Sequence, residues 1–326
     1  MRLLYFADIR FPMERANGIQ TAETAHALAR RGIDVELMVR RSDDRSDEKC
    51  LEFFGLPPHE KLRLHRVPTR FGSWSYRKSA LSSLLHSRSE PAVAYTRDLL
   101  VADLALRSHA LHGVPVVYEA HTVSAVFAEE RGEMYRSEDA ASTVKLARLD
   151  ARERRVCRRA SGIVTITRAL LDALEERHSR LVSSAVIPDG CRVPDEAPEP
   201  PRNSRSQIYY VGQLYPWKGV DVLIEAMRTV TGADLVVVGG LPPETDLDRL
   251  KRLVSELGLE DRVRFRGFIP PADLDSERCK ADLFAIPLLD STTARLFTSP
   301  LKLFEAMASG RPIVASDLPS IREALT

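Results

Sequence analysis

Two doubly wound α/β domains are the fold this sequence predicts, and three observations carry the prediction. Short β-branched or apolar runs alternate with helical patterns from one end of the chain to the other, the signature of βαβ units feeding a parallel sheet. The chain has 326 residues, more than one hydrophobic core usually supports. Between two stretches of alternation lies a segment carrying Pro188, Pro194, Pro198, Pro200 and Pro201 among polar residues, where regular structure is forbidden. The expected division is a first Rossmann-like domain over 1–189, a linker over 190–205 and a second Rossmann-like domain over 206–326.

In the first domain the strands fall at 3–7, 34–39, 62–67, 92–95, 114–118, 162–166 and 185–187, with helices at 19–31, 99–109, 141–160 and 169–177. The opening apolar run resembles the start of a signal peptide, but Asp8 and Arg10 interrupt it, so a buried first strand fits better. After the linker the strands fall at 207–211, 234–238, 263–265, 282–286 and 312–315, with helices at 219–229, 245–257, 271–279 and 300–309. Two domains of this type leave a cleft between the carboxyl edges of their sheets, where ligands are expected.

Composition sets the outer limits. Net charge is +1, from 47 basic and 46 acidic residues, which gives no argument for a nucleic-acid partner. Cys50, Cys157, Cys191 and Cys279 show neither metal-ligand spacing nor a disulfide framework, so a cytoplasmic protein without a bound metal is expected. No apolar run approaches the roughly 18 residues of a membrane span. The helix before Ala160 carries Arg148, Arg152, Arg154, Arg155, Arg158 and Arg159 against Asp150 and Glu153. It reads either as a solvated face or as a weak contact with the inner membrane surface.

The most informative segment runs from the strand at 282–286 through a polar loop into Ser299, Pro300, Leu301 and the helix that Gly310 ends. Ser299 reads as the N-cap and Pro300 as the first helical residue, at a sheet edge where a helix start is a ready anion site. Glu305 interrupts the apolar face of this helix. It either accepts hydrogen bonds from sugar hydroxyls or points to solvent and pairs with Lys302. Gly212 and Gln213 follow the strand at 207–211, and Lys218 stands where its ammonium could meet an anion, or is a solvated lysine beside a turn. Gly239 and Gly240 end the next strand, as a ligand approach or an ordinary turn. In the first domain Asn17 and Gly18 precede the helix with Gln20, Thr21 and Glu23, a reduced version of a glycine-rich phosphate loop. His121 follows the strand at 114–118, as a structural residue or as part of a site.

Taken in order, Asn17-Gly18, the run from Tyr118 to His121, the run from Val186 to Gly190, the run from Val211 to Leu214 with Lys218-Gly219, the run from Val263 to Gly267, and the run from Ser299 to Ala308 resemble family 4 of the retaining glycosyltransferases. That family has the GT-B fold of two facing Rossmann-like domains. The resemblance implies transfer of a sugar from a nucleotide-diphosphate sugar to a hydroxyl acceptor with retention, without a metal or other cofactor. It implies a catalytic set of His121, Lys218 and Glu305. The implied donor contacts are Gly18, Gly212, Gln213, Lys218, Gly239, Gly267, Phe268, Ser299, Pro300, Leu301 and Glu305. Lys218 would bind the diphosphate, Glu305 the ribose, and His121 would lie by the transferred sugar. Three positions depart from the family pattern. Phe297 stands where an upstream glutamate is usual and Asp290 is the nearby acid that could substitute, Gln213 stands where a cation is common, and the chain stops at Thr326. A short or truncated second domain is therefore expected. The alternatives are a noncatalytic nucleotide-sugar binding protein and a nucleotide-sugar epimerase on the same scaffold.

Overall fold

The computed structural model describes residues 1–68, 72–134, 142–179, 181, 183–194, 196, 199, 201, 203–241 and 246–325. The predicted helix starts at 141 and 245 and several linker positions fall outside that set. The chain divides into two compact units, the first Met1–Glu129 with Ala141–Pro188 and the second Asp189–Thr326 with Glu130–Ala140.

The first unit holds seven strands: β1 (Arg2–Phe11), β2 (Asp34–Arg41), β3 (Leu62–Val67), β4 (Ala92–Thr96), β5 (Val116–Ala120), β6 (Gly162–Thr165) and β7 (Ser184–Val186). Their order across the sheet is β3-β2-β1-β4-β5-β6-β7. Each pairing is parallel. A strand flanked on both edges and covered on both faces must be apolar throughout, and the run from Leu3 to Ala7 is buried without a break. The apolar start of the sequence is thus an interior strand of the sheet.

The second unit holds β8 (Ser206–Val211), β9 (Ala233–Val238), β10 (Val263–Gly267), β11 (Leu283–Ile286) and β12 (Ile313–Ala315) in the order β10-β9-β8-β11-β12. These strands also pair in parallel. In β9 every residue is buried, Asp234 included. That carboxylate is offset by Arg205 at 3.0 Å and Arg264 at 2.9 Å, as a buried charge requires.

All twelve strands among the described residues were legible, but several helices were not. Helix Gly72–His86 buries only Tyr76, Ala80 and Leu84. This single i, i+4, i+8 stripe lies among serines and cations, too narrow to register as an amphipathic pattern. Tyr76 anchors it by donating to Met38 O at 2.8 Å. Helices Asp47–Glu52, Ser124–Met134 and Thr292–Leu296 were missed for the same want of an apolar face.

The arginine-rich helix Thr143–Arg159 is less free than its composition suggests. Arg152 and Arg155 are drawn to Asp103 of helix Leu99–Arg107, and Arg154 to Asp150, which also takes Arg177 from the following helix. Local carboxylates therefore consume much of the charge that would favour a membrane surface. Among the described residues no helix is long and apolar enough to cross a membrane.

Candidate functional site

In the second sheet the strand order reverses between β8 and β11, and the crevice outside the carboxyl ends of two such strands is where ligands bind in open α/β sheets. The loop after β8 reaches it first. Gly219 has φ 70°, and a Cβ there would lie 1.8 Å from Pro287 O, so only glycine fits. Beside it, Leu289 N donates to Trp217 O at 3.0 Å. The turn Pro216–Lys218 is thus clamped to the segment leaving β11, and Lys218 is held in place. Its Nζ stands 3.6 Å from the Trp217 ring centroid, a cation–π contact.

From the other side of the crossover, helix Leu301–Ala308 brings Lys302. Its Nζ donates to Tyr210 Oη at 3.3 Å and lies 4.4 Å from that ring's centroid. Tyr210 in turn donates to Gln213 O at 2.5 Å, so β8, the Gly212-Gln213 turn and the helix are tied together. Burial, and then repulsion by Lys302, pushes the Lys218 ammonium well below the ordinary lysine range. Burial lowers Lys302 to about 7 against the attraction of Glu305. Two further donors nearby, Gln213 Nε2 and Trp217 Nε1, are buried without a hydrogen-bond partner among the described residues. A crevice with two desolvated amines and N–H groups left without partners among the described residues has the chemistry to meet an anion.

The helix of the predicted motif differs from expectation at its start. Pro300, not Ser299, occupies the N-cap, and Leu301 is the first helical residue. Ser299 is drawn away because its Oγ accepts from Asp189 N at 2.9 Å. Gly310 ends the helix as predicted, at φ 65°. Glu305 pairs neither with solvent nor with Lys302 but with Arg278, at 2.6 Å, a residue 8% exposed that also holds Asp275. Phe297 is 4% exposed and belongs to the core, while Asp290 is exposed and paired with Arg295.

Of the glycines, Gly212 lies beside Tyr210 and Lys302. Gly239 serves the chain itself. At φ 134°, a Cβ there would fall 1.8 Å from Gly212 O, so it permits the close approach of two strand ends rather than of a ligand. Its N–H donates to Gly267 O at 2.9 Å. Gly267 and Phe268 sit at the end of β10, two strands from β8.

Gly18 and His121 belong to the first unit. The helix after β1 begins at Ala16, so Gly18 lies inside its first turn rather than ahead of it. It packs against Met13, and its N–H donates to Arg15 O at 2.8 Å. That amide is already engaged within the chain. His121 follows β5, where Glu119, 4% exposed, accepts from His121 Nε2 at 2.9 Å and from Gln20 Nε2 at 2.8 Å. Gln20 Oε1 accepts from Arg97, and the second carboxylate oxygen, Glu119 Oε2, is buried without a hydrogen-bond partner among the described residues. Burial alone would raise the Glu119 carboxyl, but the hydrogen bond and charge of His121, with Arg97 and Gln20, outweigh it and hold it at about 2. Burial, and then the charge of Arg97, lowers His121 below its usual 6.5 against the pull of Glu119. An ionised carboxylate only accepts, so Nε2 of neutral His121 carries the proton and Nδ1 is the acceptor. The cluster stands at the ends of β4 and β5, by the order reversal between β1 and β4.

Lys302, Arg278, Glu119, Gln20 and Arg97 were not in the predicted site. Lys302 had a local signal, a cation three residues before a carboxylate on an apolar helix. Arg278 had none, since its pairing with Glu305 spans two helices.

Comparison with known proteins fits this architecture. Residues 18–190 match the family model described as a glycosyl transferase 4-like domain, and residues 205–326 match glycosyl transferases group 1. The chain is 24% identical over 326 residues to a D-inositol 3-phosphate glycosyltransferase of Corynebacterium glutamicum, covering 90% of this chain and 73% of that protein. It is 34% identical over 119 residues to a GDP-mannose-dependent alpha-(1-6)-phosphatidylinositol monomannoside mannosyltransferase of Mycobacterium tuberculosis, covering 35% and 30% of the two. Among solved structures, Anabaena Alr3699/HepE in complex with UDP-glucose superposes with TM-score 0.72 at 19% identity, covering 100% of this chain and 83% of that one. Sucrose-phosphate synthase from Thermosynechococcus elongatus gives 0.70 at 17% identity, covering 100% and 84%.

Proposed function

Because the chain belongs to the group 1 glycosyltransferases of GT-B fold, we propose that this enzyme transfers a sugar from a nucleotide-diphosphate sugar to a hydroxyl acceptor with retention of anomeric configuration. The observation that carries the donor assignment is Lys218. It is a desolvated ammonium clamped at the β8–β11 crossover, with no hydrogen bond or ion pair among the described residues. Two unit charges about 4 Å apart attract by roughly 4 kcal/mol at an effective dielectric of 20, so a diphosphate there would hold the Lys218 amine in its charged form and be held by it.

In this reading Lys218 neutralises the charge that develops on the leaving diphosphate, with the Gln213 amide N–H as a further donor. Fixed protein cations supply this stabilisation rather than a metal ion. The acceptor hydroxyl attacks the anomeric carbon from the face that the diphosphate leaves, and its proton passes to a departing phosphate oxygen. Glu305, steadied by Arg278, retains lone pairs for ribose hydroxyls. In the first unit, Glu119 fixes the tautomer of His121, which leaves Nδ1 as an acceptor for a hydroxyl.

Calorimetry with UDP, GDP and ADP tests the donor site. At least one should bind, and Lys218→Ala should weaken it by about tenfold or more, the usual cost of removing a charged hydrogen-bond partner. Absence of binding to all three would overturn the assignment. The donor that binds then sets the assay for transfer, and the proton coupling at the product's anomeric centre reads retention.

A further inference from the structure

We propose that Lys302 is the second cation of a two-lysine clamp for the donor diphosphate, supplying the positive charge that Gln213 does not bring to the loop after β8. Lys302 takes this part only if the crevice at the ends of β8 and β11 is the donor site proposed above.

The two lysines enter from opposite sides of the crossover. Lys218 comes on the turn after β8 and Lys302 on the helix after β11. Both are partly buried rather than standing free in water as a surface lysine does. Lys302 Nζ is instead folded over the buried Tyr210 ring and bonded to its hydroxyl, with its Cδ packed beside Gly212. The groups facing it are Tyr210 of β8, the Gly212-Gln213 turn, Lys218 of the turn after β8, and Glu305 on its own helix. The one acid among them is engaged by Arg278. When both are protonated the two ammoniums repel each other, with no free carboxylate among the groups facing them to offset the charge, beside two N–H donors that have no partner among the described residues. A bound dianion relieves that imbalance.

A proton is linked to this arrangement. With Lys302 lowered to about 7, much of its amine is unprotonated at pH 8, and a diphosphate beside it draws the proton back. Diphosphate binding should therefore take up protons at pH 8, and affinity should fall as pH rises above 7.

Isothermal titration of UDP, GDP and ADP, in buffers of different ionisation heat at pH 8, reads both effects. Wild type should bind with net proton uptake. Lys302→Gln should bind the same nucleotide about tenfold more weakly. Lys302→Arg keeps a charge that cannot be lost, so it should hold the affinity within a few-fold while taking up fewer protons. If wild type binds none of the three, the donor-site reading falls and the clamp with it. If wild type binds and Lys302→Gln binds equally well, the clamp is overturned while the donor site stands.

Discussion

Replacing Glu119 by glutamine keeps the shape of the side chain and removes its charge. In the first unit that charge is the common acceptor for His121 and Gln20. The carboxyl is held at about 2 against an ordinary 4.5. Since each pKa unit is worth about 1.4 kcal/mol, the fold favours the ionised form by about 3 kcal/mol. Glu119 is almost fully buried, so solvent screening takes little from this figure. For a unit of this size the loss corresponds to a melting point lower by at most about 6 to 12 °C, and by less at pH 7, where His121 is neutral and adds no charge. The sign of the pH dependence follows from a depressed folded-state pKa. The stabilisation is complete above 4.5 and is lost as pH falls toward 2. Wild type should therefore lose about half of its advantage over Glu119→Gln as pH drops from 4.5 to 3, and the two melting curves should draw together. Circular dichroism melts at pH 7, 4.5 and 3 measure this. A variant that melts within about 2 °C of wild type at pH 7 would refute the account, as would a gap that stays constant into acid.

Two other substitutions separate packing from ligand roles. Gly239→Ala places a Cβ 1.8 Å from Gly212 O, whereas a Cβ at Gly267 would meet nothing within 4 Å. Gly239→Ala should cost on the order of 3 kcal/mol in a denaturant titration and Gly267→Ala only about 1 kcal/mol for its left-handed φ; equal costs would remove the close-approach explanation. Phe297→Glu restores the acid usual in the family at a site that is core here. It should lower stability by about 3 kcal/mol or more without raising turnover, and a variant with wild-type melting and faster transfer would show that the position faces the donor instead.

The sequence by itself determined the strands, their parallel class, the two-unit organisation and the family. These depend on local patterns. A strand covered on both faces is an apolar run of β-branched residues, as in β1 and β9, and helix stops such as Gly310 are written in single residues. The place of Lys218 in the turn after a glycine-ended strand was legible for the same reason. The tertiary structure decided what each polar group does. Glu305 was visible, but its partner Arg278 comes from another helix. Ser299 carries every local mark of an N-cap, yet Asp189, 110 residues earlier, takes its hydroxyl. Gln20 and Glu119 meet across 99 residues, and Lys302 finds Tyr210 across 92. Hydrophobic periodicity reports which face of an element is buried. The partner of a buried charge is set by which strand ends the sheet order brings together, and no local spacing encodes that order.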